Sequence, residues 1–268
     1  MDNEKIKIEI QGHDEIADLG ENLENSNENE KDIKNNVNGG NDMENVNENV
    51  NENVNKTVVK DYNDERLANI GIEDEELDLF FILDRSGSMR GSERDTINGF
   101  NAFIEKQATK KHNIRVTAIL FDDEYQVLYS RKPISEVKPL TEEEYYVRGC
   151  TALLDSIGRT INTYRNQVNS AMCIITSDGY ENASREFNRA QIKSLIEECG
   201  WEFVFIGADI DSYGEASRIG IRRSRTANYS KTSRGNATMF DACDAVTDRY
   251  YKLRDNKDLD EDWKKDLD

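Results

Sequence analysis

Asp84, Ser86 and Ser88 stand two residues apart in Asp84-Arg85-Ser86-Gly87-Ser88, so one short loop offers a carboxylate and two hydroxyls. Gly87 lets that loop bend tightly, because glycine lacks the Cβ that restricts other residues. A second carboxylate, Asp178, lies in Ser177-Asp178-Gly179, and a third hydroxyl, Thr151, lies in Gly149-Cys150-Thr151-Ala152-Leu153. Hard oxygen donors of this kind suit a small divalent cation such as Mg2+ or Mn2+. Nucleophilic catalysis is poorly served by comparison. The chain has 2 histidines, His13 in a polar stretch and His112 just before an apolar run, and a Ser/His or Cys/His pair needs one of them in a cleft.

The elements that must carry these residues alternate between strand and helix. Leu77–Leu83, Ile114–Phe121, Ala171–Thr176 and Trp201–Ile206 read as buried strands. Between them lie helical periodicities. Ser92 can cap a helix whose apolar face is Ile97, Phe100, Phe103 and Ile104; another helix uses Leu154, Ile157, Ile161 and Tyr164. A third uses Ile192, Leu195, Ile196 and Cys199, with Gly200 to end it. Asp211–Ile219 reads as a short helix, Arg223–Tyr229 as a weak strand, and a last helix uses Met239, Cys243, Val246, Tyr250 and Leu253. Asp122-Asp123-Glu124 joins Ile114–Phe121 to a further run, Tyr125–Tyr129, as a hairpin. This order predicts an α/β fold: a Rossmann-like, doubly wound, mostly parallel sheet with one antiparallel edge strand and helices on both faces. In such sheets ligands bind at the carboxyl ends of the strands, where Asp84 and Asp178 fall.

The chain has 268 residues and a formal net charge of −19, very unevenly spread. Residues 1–56 carry 15 acidic and 5 basic side chains, and residues 255–268 carry 7 and 3, which leaves only −5 on 57–254. The first segment is rich in asparagine, includes a triple Glu-Asn-Val-Asn repeat over Glu44–Asn55, and reads as a disordered tail. The alternation of Ile6, Ile8 and Ile10 within it reads as a frayed terminus rather than a docking strand. The expected organisation is thus a tail at 1–56, a linker at 57–76, one domain at 77–254 and an acidic C-terminal tail at 255–268. No apolar run approaches the ~20 residues of a membrane span. Strong acidity argues against general nucleic-acid binding. Cys150, Cys173, Cys199 and Cys243 show no paired or metal-type spacing, and no secretory signal is visible, so a cytoplasmic setting is expected.

Asp84-x-Ser86-x-Ser88, Thr151 and Asp178, in that order and at these spacings, resemble the metal-ion-dependent adhesion site (MIDAS) of von Willebrand factor type A (vWA) domains. The resemblance covers roughly residues 77–254. It implies that Ser86 and Ser88 bind the metal directly, Thr151 directly or through water, and that Asp84 and Asp178 mostly hold coordinated waters. The open position would accept an Asp or Glu carboxylate from a protein partner, since few direct anionic ligands leave the ion's charge unquenched. Phe81-Ile82-Leu83-Asp84-Arg85-Ser86-Gly87-Ser88-Met89, Thr96-Ile97-Asn98-Gly99-Phe100-Asn101 and Gly207-Ala208-Asp209-Ile210-Asp211 further resemble small intracellular bacterial proteins built largely of one such domain. The implied function is a non-enzymatic, metal-dependent protein–protein interaction module.

Other residues receive plainer expectations. Asp122, Asp123 and Glu124 read as a solvated hairpin tip rather than a second cation site, and Cys150 as a small packing residue. Asp155 either braces the Thr151 loop or serves as a cap. Arg218, Arg222, Arg223, Arg225, Lys231 and Arg234 form the one basic concentration and read as charged surface. A coil of 56 residues has an end-to-end distance of roughly 40 Å, so the acidic tail is itself a candidate ligand of the metal site. Two alternatives stand beside the binding module. Asp84 at a strand end suits a metal-dependent hydrolase or phosphotransferase, although aspartyl-phosphate enzymes usually need a second Asp where Ser86 stands. The other is an adaptor in a bacterial stress-response or phage-associated complex.

Overall fold

The structure, a computed structural model, describes residues 76–110, 112–253 and 261–267. The tail at 1–56, nearly all of the 57–76 linker, the Ile6/Ile8/Ile10 alternation and His13 lie outside the described residues.

Six strands form one sheet in the order β3-β2-β1-β4-β5-β6. They are β1 (Leu77–Asp84), β2 (Ile114–Phe121), β3 (Tyr125–Pro133), β4 (Ala171–Ser177), β5 (Glu202–Gly207) and β6 (Thr226–Asn228). All neighbours pair in parallel except β2 and β3, whose antiparallel pairing makes β3 the one reversed edge. Residues Leu77–Leu83 are apolar apart from Asp78, and every residue of β1 is buried, as a central parallel strand requires. Alternation along it divides the core into two layers. Leu77, Leu79, Phe81 and Leu83 face one layer; Phe80 and Ile82 face the other.

Five α-helices among the described residues cover these layers: α1 (Glu93–Ala108), α2 (Leu153–Tyr164), α3 (Arg189–Cys199), α4 (Ser212–Arg218) and α5 (Ser233–Leu253). α1 and α5 supply Phe100, Phe103, Met239, Phe240 and Val246 to the first layer. α2, α3 and α4 supply Leu154, Ile157, Ile161, Ile192 and Ala216 to the second. The doubly wound α/β fold expected from the sequence is therefore the fold observed. No helix among the described residues is long and apolar enough to cross a membrane.

Several local readings need correction. Ser92 occupies the N-cap of α1 without a side-chain capping bond; its carbonyl accepts from Thr96 N at 2.9 Å instead. The Arg223–Tyr229 strand shrinks to Thr226–Asn228, because Arg223–Arg225 coil into a 3-10 turn that buries Arg225 against Glu202. Residues beyond 254 are not all outside the domain. Asp262–Lys264 form a further 3-10 turn whose Trp263 is 3% exposed and packs in the first core layer. Trp263 Nε1 donates to the Ser224 carbonyl at 3.0 Å, and Lys264 Nζ donates to the Thr226 carbonyl at 2.9 Å. This stretch looked like solvated tail because four of its seven residues are acidic or basic neighbours of one aromatic, a pattern whose burial only tertiary contact reveals.

Candidate metal centre

The strand order reverses between β1 and β4, because the chain winds outward from β1 to β3 and then returns to β4 on the other side. Crevices at such switch points lie at the carboxyl ends of the strands. Asp84 is the last residue of β1, and Asp178 directly follows β4. The register that pairs Leu83 with Thr176 brings Asp84 beside Ser177, whose hydroxyl donates to Asp84 Oδ2 at 2.5 Å. Asp84 Oδ1 accepts from Ser86 N at 2.7 Å, which folds the first loop back over the strand end.

The five residues singled out in the sequence converge here. Ser86 Oγ lies 3.0 Å from Ser88 Oγ, Thr151 Oγ1 donates to Ser86 Oγ at 3.0 Å, and Ser88 Oγ donates to Asp178 Oδ1 at 2.5 Å. Gly179 permits this closeness. A Cβ there would stand 2.8 Å from Thr151 Oγ1 and 3.1 Å from Ser88 Oγ. Asp178 Oδ2 is buried and accepts no aligned hydrogen bond, although Lys231 Nζ stands 2.6 Å away as an ion pair. The two descriptions agree once angle is considered: the charges touch, but the oxygen's lone pair is not satisfied directionally. A buried oxygen left so, facing three hydroxyls, fits a cation. No group of three or more His, Cys, Asp or Glu side chains is so placed among the described residues, in keeping with a centre built mainly of hydroxyls.

Burial pushes the Asp84 carboxyl up to about 6, against the opposing hydrogen bonds from Ser177 and Ser86, and the nearby Asp178 charge adds to the rise. A divalent cation beside it would favour the ionised form.

A second layer, largely missed from sequence, fixes the loops. Arg85 is 0% exposed; its Nε donates to Asp122 Oδ2 at 2.8 Å and its Nη1 to Gln126 Oε1 at 2.7 Å. Arg148 Nε donates to the same Asp122 oxygen at 2.8 Å. Asp122 is thus a buried hub and not part of a solvated tip, while Asp123 and Glu124 remain exposed or half-exposed. Backbone bonds complete the lacing: Gly87 N to Gly149 O at 3.1 Å, Arg148 N to Arg85 O at 3.0 Å and Ala152 N to Asp122 O at 2.8 Å. Gly149 has φ +65°, and a Cβ there would collide with Asp123 Oδ1 at 1.7 Å. Tyr145, buried, donates its hydroxyl to the Asp84 carbonyl at 2.5 Å.

The Thr151 loop is tied to the segment after Asp178. Thr151 N donates to Asn182 Oδ1 at 2.9 Å, and its carbonyl accepts from Asn182 N at 3.0 Å. Ala152 offers no side-chain cap to α2, so Glu181 Oε2 accepts from Leu154 N at 2.9 Å in its stead. Asp155 accepts from the backbone N of Arg185, Glu186 and Phe187 at 2.8–2.9 Å, which makes it a brace of this second loop. Cys150, read as a packing residue, is exposed, because the turn at Gly149 swings it outward. His112 precedes β2, at the opposite end of the sheet from the centre, where its ring stacks 3.9 Å from that of Tyr251. A sequence signal for Asp122 did exist: it is another carboxylate directly after a strand, as Asp178 is.

No family model and no curated protein matches the sequence. Solved structures do match. The PilB minor pilin of Streptococcus sanguinis aligns with a TM-score of 0.53 at 11% identity, over 69% of this chain and 64% of its own. The vWF domain of the type V pili tip protein Mfa5 from Porphyromonas gingivalis aligns with a TM-score of 0.49 at 11% identity, over 65% of this chain and 95% of its own. Proximal thread matrix protein 1 from the mussel byssus, in the form with a zinc-occupied MIDAS motif, aligns with a TM-score of 0.47 at 15% identity, over 62% of this chain and 44% of its own. The match therefore spans less than half of the mussel protein's length. The likeness is one of fold.

Proposed function

We propose that this chain carries a vWA-type domain with a complete MIDAS, and that it works as a divalent-metal-dependent protein-binding module. One observation carries the reading: three hydroxyls and two carboxylates, drawn from three separate loops, meet at the switch point with Asp178 Oδ2 unsatisfied. Ser86, Ser88 and Thr151 would hold Mg2+ or Mn2+ with little anionic charge, and Asp84 and Asp178 would order the waters around it. The ion supplies a Lewis-acidic position that attracts a carboxylate from an Asp or Glu of a partner. The acidic segment at 1–56 is a candidate intramolecular competitor for that position. We place the module in the cytoplasm on the spacing of its cysteines.

A hydrolase or phosphotransferase using Asp84 is less well supported. Asp84 is 0% exposed and both its oxygens accept hydrogen bonds, so neither is presented for in-line attack. Affinity purification with the full chain, with and without EDTA, and with Asp84→Ala and Ser86→Ala beside it, tests the proposal. Partners that need both the metal and these residues support it. Retention of every partner in EDTA defeats it, and a phosphatase activity lost in Asp84→Ala would favour the enzyme.

A further inference from the structure

Lys231 belongs by sequence to a basic strip that reads as surface, yet its ammonium lies inside the metal centre. Nζ stands 2.6 Å from Asp178 Oδ2 and donates to the carbonyl of Ser88. The side chain is only 22% exposed, and that of Asp178 is 1% exposed. Two of the centre's loops thus share one positive charge contributed from 53 residues further along the chain than Asp178.

The placement is built. Lys231 follows β6, whose Asn228 pairs with Gly207 at the carboxyl end of β5, and Tyr229 N donates to the Gly207 carbonyl at 2.9 Å. On its other side the chain enters α5 at once. Thr232 N donates to Ser230 O at 2.7 Å, Asn236 N to Thr232 O at 2.8 Å and Gly235 N to Thr232 Oγ1 at 3.0 Å. Ser233 Oγ donates to Asp95 Oδ2 at 2.8 Å, which fastens the start of α5 to the start of α1. A lysine held between an edge strand and a pinned helix start is confined to the neighbourhood of Asp178, unlike a free surface lysine.

We propose that Lys231 is a tethered rival of the metal ion: its ammonium competes for Asp178 and thereby sets how tightly the centre holds a divalent cation. The inference rests on the metal-centre reading above. Three hydroxyls and two carboxylates give the cluster a formal charge of −2, and Lys231 reduces that to −1. An incoming dication must share Asp178 with the ammonium, at the cost of like-charge repulsion, or displace it. Displacement frees both Asp178 Oδ2 and the Ser88 carbonyl at the same stroke.

Calorimetric titration of the full chain with MnCl2 and MgCl2 tests this. Lys231→Met keeps the aliphatic stem without the charge and should bind either metal tighter by roughly five- to tenfold, the scale of a partly buried charge pair. Lys231→Arg keeps the charge and should not share the gain. Equal or weaker binding by Lys231→Met overturns the proposal. If Asp84→Ala also loses metal binding, the centre stands and this proposal alone falls; if neither the folded wild type nor the variant binds metal, both fall. A second measurement needs no variant. Saturating Mn2+ should release Lys231 and raise its rate of acetylation by an N-hydroxysuccinimide ester, read by peptide mass spectrometry against Lys193. An unchanged rate at saturation overturns the proposal.

Discussion

Arg85 Nε donates to Asp122 Oδ2 at 2.8 Å, and both side chains are 0% exposed. The pair joins the metal-bearing loop after β1 to the end of β2, and Arg148 extends it to the loop that carries Thr151. Removing one member of a buried ion pair strands the other charge, which typically costs about 3–5 kcal/mol. Asp122→Ala should therefore lower the unfolding free energy by about that amount in urea titration and weaken Mg2+ binding as well. Asp123→Ala, on the exposed neighbour, should do little to stability.

Gly179→Ala should separate metal binding from folding. Its added Cβ meets two hydroxyls of the centre and no backbone atom. Residues that orient metal ligands typically affect metal affinity by roughly 10–100-fold, so a loss on that scale is expected by calorimetry. The thermal midpoint without metal should stay close to that of the wild type.

The two helices of the first layer are clamped by Asp244, which takes ion pairs from Lys106 at 2.8 Å and Lys110 at 2.7 Å. Burial pushes the Asp244 carboxyl up, but hydrogen bonds and charge from the two lysines outweigh it and leave the group below its ordinary value of 3.8. A carboxyl depressed in the folded state contributes stability that is full above 3.8 and lost as pH falls through the lower, folded value. Thermal melts between pH 2 and 5 should show this loss in the wild type. In Asp244→Asn, melts should be shallower in pH and already less stable at pH 5.

Trp263→Ala should destabilise the domain by about 3 kcal/mol, as truncating a large buried aromatic does. The measurement is urea unfolding followed by far-ultraviolet circular dichroism, since Trp263 is one of only 2 tryptophans and its fluorescence is lost with it. A change within experimental scatter would mean that the 261–267 segment does not hold to the sheet edge in solution.

Strand and helix positions were legible because the core of a parallel sheet leaves long apolar traces: Leu77–Leu83 was expected and Leu77–Asp84 is observed. The five candidate ligands were legible because each sits just beyond such a trace. What failed was burial of charge. Asp122 looks solvated between Phe121 and Asp123 until Arg85 and Arg148 reach it from 37 and 26 positions away. Arg225 and Lys231 look like a basic surface until Glu202 and Asp178 meet them. A charged side chain is written the same way in sequence whether water or a counter-ion solvates it, and only pairing across the fold decides.

The hydrogen bond between Ser177 and Asp84 closes a gap of 93 positions in the chain. The centre therefore cannot exist in any early fragment: a ribosome-bound chain lacking β4 holds the Asp84, Ser86, Ser88 and Thr151 side chains but has nothing to fold them against. Metal retention would then register that the sheet's middle has closed. It would also pull the population towards the folded form, by an amount that grows with free metal concentration over its dissociation constant. A module of this design would recruit its partner only after its own assembly is finished.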